Sequence, residues 1–510
     1  MMSLVFICSR RLVSDHSSLR RALPLIPEEL YPMLFRAAFL DKKTLVLQDL
    51  VQTWPFSVLS LQRLLQGDEG HHPVQLYEKA NRLCVQTVIL GVMAYLREEL
   101  AGQKEWRPPR KQRLRLLDMM GTHDDGLEHG PDTMSVWSRT VALTKACINM
   151  AKRQHEESTQ ASKCRRVPED MAASSAYSAM CVDVRVDLFV NRTSYAVLRE
   201  ALMLGSHGPL RLQCRDIRAE ELSLRSTVTL LELLNPDYLR QIDLRFNNLG
   251  LPGLNALLPS MRRFTHLLSL KLPYSNIDVM RLAPAAEEAL QNFASQICQL
   301  SALRELNLGS SRLSGRLSQL LGGLLTPLES LELAFCCLLP ADLHYLSRSI
   351  HISFLKKLNL SGNNLSGVHL QPFLQLLHSV STSLLHLDVM DCRLSDSTMA
   401  TLTPVLCCCC CLRFLGLFCN PVTCQGIRTL LLRSLHMADL QLVIYAIPYD
   451  CYLDAQPPDD VRALINVDKL VRFEEEVQET LIRAQRTDMV WTYRTGEAPS
   501  PEYLSAYKDF

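Results

Sequence analysis

No stretch of this 510-residue chain is apolar for long enough to cross a bilayer. The longest apolar run lies around Leu83 to Leu96 and is broken by Gln86 and Thr87; a spanning helix needs roughly 18 to 20 apolar residues. An excess of either charge is also missing. Lys and Arg number 54, Asp and Glu 53, for a formal net charge of +1, so no field of one sign points to nucleic acid or to a membrane. The opening, MMSLVFICSR, has no basic segment ahead of its short apolar one, so no signal peptide is expected. GxSxG, P-loop and GxGxxG motifs do not occur, which leaves no recognised catalytic or phosphate-cradling constellation. These absences lead us to expect a cytoplasmic protein that is not an enzyme and holds no cofactor or metal; separately, it is expected to be a monomer outside its complexes.

What the chain does have is a repeat. Seven segments follow LxxLxLxxNxL: they begin at Leu239 (LRQIDLRFNNL), Leu267 (LLSLKLPYSNI), Leu303 (LRELNLGSSRL), Leu328 (LESLELAFCCL), Leu355 (LKKLNLSGNNL), Leu384 (LLHLDVMDCRL) and Leu412 (LRFLGLFCNPV). This is the leucine-rich-repeat signature, a short strand, a turn and a helix per unit. A single unit cannot bury its leucines, so the units must stack. The expected fold class is α/β: a horseshoe-like solenoid with a helical N-terminal region and a capping strand and helix at its C-terminal end. The starts are 28, 36, 25, 27, 29 and 28 residues apart, long enough for a helix per repeat. The 36-residue interval predicts an inserted loop around Pro284 to Ala294.

Eighteen cysteines are read as reduced thiols, because no export signal accompanies them. Cys336 and Cys392 occupy the repeat position that usually takes Asn, which repeats of this kind accept. Cys407 to Cys411 are five in a row. Metal sites usually pair CxxC motifs across a loop, so this run reads as the end of an outer helix with some thiols buried.

Five regions are expected. Residues 1–110 form a helical N-terminal region, and 111–150 a degenerate first repeat whose strand is LRLLDMMG at 114–121. Residues 151–180, basic and serine-rich with few large apolar groups, read as a disordered insertion. Residues 181–445 are the solenoid, opened by strands at 182–190 and 210–217. Residues 446–510 are a C-terminal cap, with an amphipathic helix from Val467 to Arg486 and a strand at 440–448 leading into it. Lys152-Arg153 and the basic run 163–166 read as a solvated linker; their spacing, almost that of a bipartite nuclear import signal, leaves nuclear entry as the alternative. His71-His72 and His123-Asp124 lack a third partner and read as solvated loops.

Alternation along each strand turns the leucines inward and the residues between them toward the concave face. That face then carries Asp243, Lys271, Glu332 and Asp388, and toward its C-terminal end Met390, Phe414 and Phe418. These are candidate partner-binding residues; burial of the last three under the C-terminal cap is the alternative.

The most specific short motif lies near the N-terminus. Ser3, Leu4, Cys8 and Leu12 match [ST]LxxxCxxxΦ, the elongin-binding box, with the last three on one stripe of a helix. Ile26, Pro27, Leu30 and Leu34 match ΦPxxΦxxxΦ, the box that marks cullin-2 receptors. The alternative is a stripe that packs into the core.

Several segments together resemble the PRAME family. LPLIPEELYPMLFRAAF followed by VQTWPF resembles the family's opening, and VDVRVDLFVNRTSYAVLREAL, GRLSQLL, PLESLELAFCCLLPADL and LKKLNLSGNNLSG resemble its repeats. The resemblance implies two partner sets. Members of the family join cullin-2 and elongins B and C as substrate receptors of a ubiquitin ligase, consistent with the two boxes above. A member is regarded as a cytoplasmic brake on Toll-like-receptor signalling to NF-κB, binding the IκB kinase β subunit and blocking assembly of the kinase core. No residue here marks a kinase-binding surface.

Overall fold

The computed structural model describes residues 4–65, 81–100, 113–121, 133–164, 181–205, 208–279, 284–453 and 465–494. His71-His72 and His123-Asp124 lie outside them. The chain divides into two compact units, Met1–Arg240 and Gln241–Phe510.

In the first unit, helices α1 (Leu4–Val13), α2 (His16–Ala22), α3 (Tyr31–Leu40) and α4 (Thr44–Gln52) precede strand β1 (Val58–Ser60) and helix α5 (Leu61–Leu65). Helix α6 (Arg82–Leu100), strand β2 (Leu116–Asp118), helix α7 (Val136–Cys164), strand β3 (Val182–Val190), helix α8 (Tyr195–Gly205), strand β4 (Leu210–Ala219) and helix α9 (Leu224–Leu233) follow. The four strands pair in parallel in chain order. Parallel neighbours need a crossover, and the helices supply it.

Trp54 anchors this unit. It is 2% exposed, meets Phe35 edge-on at 5.7 Å and Tyr31 at 6.2 Å, and its indole N–H donates to the Val58 carbonyl at 3.0 Å. Gly91 lets α6 lie against α4: a Cβ there would stand 2.7 Å from that of Val51.

Two expectations are corrected here. The strand at 116–118 is not the first, because Val58–Ser60 already pairs with it; three residues between Trp54 and α5 are too few to show an alternating pattern. The segment 151–180 is helical through Cys164, as the last turns of α7; its low hydrophobicity reflects a polar helix rather than an unstructured chain in that half. Residues 165–180 lie outside the described part.

The second unit repeats strand and helix. Strands β5 (Gln241–Asp243), β6 (Ser269–Lys271), β7 (Glu305–Asn307), β8 (Ser330–Glu332), β9 (Lys357–Asn359), β10 (His386–Asp388), β11 (Phe414–Gly416), β12 (Leu442–Ile444) and β13 (Val490–Thr492) pair in parallel. The register never slips: Leu331 faces Leu358, Leu358 faces Leu387, and Leu387 faces Leu415. The crossover helices are α10 (Gly250–Met261), α11 (Pro284–Ile297), α12 (Leu317–Leu321), α13 (Pro340–Leu346), α14 (Leu370–Val380), α15 (Asp396–Leu406), α16 (Cys424–Ser434) and α17 (Val467–Arg483). The repeat leucines are the core; Leu306, Leu331 and Leu387 are fully buried. Pro284 to Ala294, expected as an inserted loop, lie in helix α11; the extra length of that repeat falls mostly ahead of the helix, where 12 residues separate β6 from α11 against 6 between β5 and α10. The strand expected near 440–448 is β12, but β13 pairs beyond it.

The consensus Asn explains how repeats join. The Asn363 amide donates to the carbonyls of Leu360 in its own repeat, at 2.8 Å, and Leu333 in the previous one, at 2.9 Å, while its oxygen accepts from Leu338 N–H at 3.1 Å. Asn420 does the same with Leu417 and Val389, and accepts from Cys392 and Leu394 N–H. Cys336 and Cys392 stand in the same column and give their thiol protons to Leu308 and Leu360 of the preceding repeat, at 3.2 and 3.4 Å. Acidic residues add a second seam. Asp342 accepts from Gly315 and Leu317 N–H, Asp396 from Thr423 N–H and Asp450 from Cys424 N–H.

Candidate functional site

Helix α1 is held by one face. Phe6, Ser9 and Val13 are buried. Arg36 lies over the Phe6 ring at 5.5 Å, and Arg10 reaches Asp41 through two bonds, of 2.6 and 2.9 Å. The opposite face carries the box. Leu4 is 75% exposed and Leu12 49%, and Cys8 is exposed, with Val5 and Ile7 beside them at about half exposure. The i, i+4, i+8 stripe is therefore not the packing stripe, which is Phe6, Ser9 and Val13. Ser3 lies outside the described residues. An apolar face left in water normally marks a contact for another molecule.

The second box divides. Pro27 is exposed between two single 3₁₀ turns, and Ile26 and Leu30 are half-buried. Leu34 is corrected: it is 1% exposed, in the core. Its stripe crosses from turn to helix at Tyr31, and within α3 Leu34 falls on the same buried side as Phe35 and Ala38.

On the strand wall of the second unit the residues between the leucines bind one another. The Lys357 ammonium donates to Glu332 at 2.8 Å, the Asn307 amide to Glu332 at 2.6 Å, and Lys271 pairs with Glu305 at 3.3 Å. Burial alone would raise Glu332, but Lys357 outweighs it and holds that carboxyl below its usual range. Lys357 is raised in turn, since Glu332 overcomes the effect of burial. The Asp243 carboxylate accepts from Arg245 Nε at 2.8 Å. His386 Nε2 and Asp388 Oδ2 lie 2.6 Å apart, and the His386 ring stacks on Phe414 at 4.0 Å.

These contacts correct part of the expected binding face. Asp243, Asp388 and Phe414 are 3%, 8% and 4% exposed. Phe414 packs with Leu442 and Ile444, and Met390 and Phe418, half-buried, pack against that cluster. Strands β11 and β12 turn apolar on both faces, so their outward side chains cover each other. Gly416 is part of this fit: a Cβ there would meet Asp388 Oδ1 at 2.2 Å and Met390 Cε at 2.6 Å. Lys271, Glu332, Met390 and Phe418 stay partly open to a partner.

The sequence reading missed three aromatics at the position just before the consensus Asn. Phe246 and Tyr274, 47% and 51% exposed, stack at 4.6 Å, and Phe335 is 50% exposed. All three have positive φ, near 59°, 56° and 55°, a conformation uncommon for bulky residues. Phe335 lies over Gly362, where a Cβ would fall 2.1 Å from the ring. Three aromatics at one register position of the repeat was the available signal.

Among the described residues, one group of potential metal donors converges: the donor atoms of Cys424, Asp450 and Cys451 lie within 4.8 Å of one another. Both carboxylate oxygens of Asp450 are engaged there, by Cys424 N–H and by the Lys469 ammonium at 2.9 Å. No described helix is long and apolar enough to cross a membrane.

Two family profiles match the chain: the PRAME N-terminal domain over residues 3–124 and the PRAME C-terminal domain over residues 184–500. A Xenopus laevis protein named leucine-rich repeat-containing protein 14 is 61% identical over 496 residues, covering 96% of this chain and 97% of its own. The Homo sapiens protein of that name is 45% identical with the same coverage. Among solved structures, the Legionella pneumophila leucine-rich-repeat protein LegL7 is 14% identical with a TM-score of 0.33, covering 60% of this chain and 95% of its own. A structure titled as the yeast Rad7 and Elc1 complex is 16% identical with a TM-score of 0.28, covering 82% of this chain and 90% of that one.

Proposed function

The chain belongs to the PRAME family of leucine-rich-repeat proteins, interaction scaffolds for which no enzyme family is indicated, and on that premise we propose that it is a cytoplasmic, non-catalytic regulator of NF-κB signalling. In this reading the repeats bind the IκB kinase β subunit and keep the kinase core from assembling, damping Toll-like-receptor responses. The observation that carries it is the 45% to 61% identity, over 96% of the chain, to proteins named leucine-rich repeat-containing protein 14, the branch in which the resemblance locates such a brake. Lys271, Glu332, Met390 and Phe418 are the wall residues open enough to take part, and Phe246, Tyr274 and Phe335 join them as exposed aromatic anchors. The test is co-precipitation of the kinase subunit with the Phe246→Ser/Tyr274→Ser chain. Lost binding with an unchanged melting temperature supports the reading; full binding and full repression count against this surface.

A second reading is favoured by a separate observation, the solvent-facing Leu4, Cys8 and Leu12. On it, the chain is the substrate receptor of a cullin-2–elongin B/C ubiquitin ligase, with α1 in an apolar pocket of elongin and the turn at Ile26, Pro27 and Leu30 toward the cullin. Leu4→Asp with Cys8→Asp separates the two readings. Elongin co-purification should vanish. Persisting repression leaves the blocking mechanism standing, whereas repression that vanishes with partner levels rising assigns the effect to ubiquitination.

A further inference from the structure

Cys407 to Cys411 follow helix α15 directly. A free cysteine is ordinarily among the most buried residues, and Cys409 is fully buried. Cys408 and Cys410 are exposed, and Cys407 and Cys411 are half-buried. The Cys410 and Cys411 sulfurs lie 3.8 Å apart, and the thiols reach different carbonyls. Cys407 donates to the Arg433 carbonyl at 3.5 Å, Cys408 to Pro404 at 3.4 Å, Cys410 to Ser381 at 4.0 Å and Cys411 to Thr382 at 3.5 Å. A fan of this kind is a poor metal clamp but leaves two thiols within reach of a modifying reagent.

The corresponding turns of the preceding repeats form one edge with this one. Thr326 Oγ1 donates to the Ser301 carbonyl, Leu328 N–H to His351 Nδ1, and Ser383 Oγ to the Ile352 carbonyl. That edge exposes apolar side chains: Leu325 at 91%, Ile350 and Phe354 at 53% each. It also nearly lacks carboxylates. The turns 262–266, 298–302, 322–327, 347–354, 381–383, 407–411 and 435–441 contain Arg262, Arg263 and Arg348 against a single acid, Asp439.

We propose that Cys408 and Cys410 are S-acylation sites and that this edge of the second unit lies on an anionic lipid surface. The deprotonated Sγ attacks the carbonyl of a long-chain acyl-CoA thioester. The new S–C bond forms as the CoA–S–C bond breaks, and the CoA thiolate takes up the proton that the cysteine released. One acyl chain alone gives marginal, reversible membrane binding, and two chains, or a chain with a basic and apolar patch, give a lasting anchor. Two exposed thiols on the edge that also carries Leu325, Ile350, Phe354 and the arginines supply both kinds of signal. A spanning helix is not needed for such an anchor, so the expectation of no membrane partner, drawn from its absence, does not extend to this edge.

The test uses the full chain expressed in cells fed an alkyne-tagged palmitate. The tag is expected on the wild-type chain, is released by neutral hydroxylamine as a thioester must be, and accompanies a share of the chain in the membrane fraction. Cys408→Ser with Cys410→Ser should lose both the tag and the membrane share, while Cys337→Ser with Cys419→Ser, exposed thiols outside this edge, should keep both. If the double substitution lowers the melting temperature, each single substitution, read separately, should still reduce the tag. An untagged wild-type chain, a tag that survives hydroxylamine or the double substitution, or thiols that react with maleimide only after reduction would overturn the proposal.

Discussion

Helix α1 and the strand wall β5–β13 put the same residue types to opposite uses. On α1, Leu4, Val5, Ile7 and Leu12 face water while Phe6 and Val13 do the packing. On the wall, Phe414, Leu442 and Ile444 face away from the leucine core and still bury one another. The lesson is that an outward position makes a binding residue only where its neighbours leave it bare. Helix α1 packs through one side, and among the described residues nothing covers its outer stripe. A strand has a neighbour on either side at about 4.8 Å, so large residues in adjacent strands close over each other.

The sharpest way to break this contrast is Phe414→Ala. If Phe414 is core, the substitution costs about 3–5 kcal/mol in urea unfolding of the full chain. A loss close to zero would return it to the open wall. Gly416→Ala should cost about 1–3 kcal/mol by overpacking against Asp388 and Met390, read as a lowered urea midpoint.

Glu332→Ala should cost about 1–3 kcal/mol, because Lys357 and Asn307 each lose their acceptor. The pair also fixes the sign of a pH dependence. Glu332 is held below its usual 4.5, so its contribution is present above pH 4.5 and is lost as pH falls through the lowered value. Lys357 is raised above its usual 10.5, so its contribution is present below pH 10.5 and is lost as pH rises through the raised value. The stability of Glu332→Gln measured across pH should show a smaller acid-side decline than that of the wild type.

The smallest effect belongs to α1. Leu4→Asp should change stability by no more than about 0.5 kcal/mol, as an exposed substitution does, while abolishing capture of an elongin complex. A large loss of stability would mean that the stripe packs after all.

Much of the second unit was legible because its repeat is periodic. Seven LxxLxLxxNxL segments locate β5 to β11, and the Cys336 and Cys392 substitutions announce themselves by falling at the Asn position. The first unit was harder to read. Strand β1 is three residues long and carries no alternation, and α7 is polar in sequence from Lys152 onward. The insertion was placed on helix α11 instead of ahead of it because repeat spacing counts extra residues without saying where in the repeat they fall. For the candidate surfaces, spacing grouped Leu4, Cys8 and Leu12 but could not say which side of the helix met water. Leu34 was misread for the same reason: a stripe that runs through a turn changes face. The aromatics Phe246, Tyr274 and Phe335 escaped notice because they sit between the consensus positions.

The column of Asn363, Asn420, Cys336 and Cys392 has a mechanical corollary. An amide that both donates and accepts is a firm rivet between repeats, whereas a thiol offers one weak donor. The backbone hydrogens of Asn363 and Ser311, which meet the sulfurs of Cys392 and Cys336, should therefore trade with deuterium sooner than those of Cys392 and Leu338, which the amide oxygens of Asn420 and Asn363 hold, and unzipping under load should begin at the sulfur rungs.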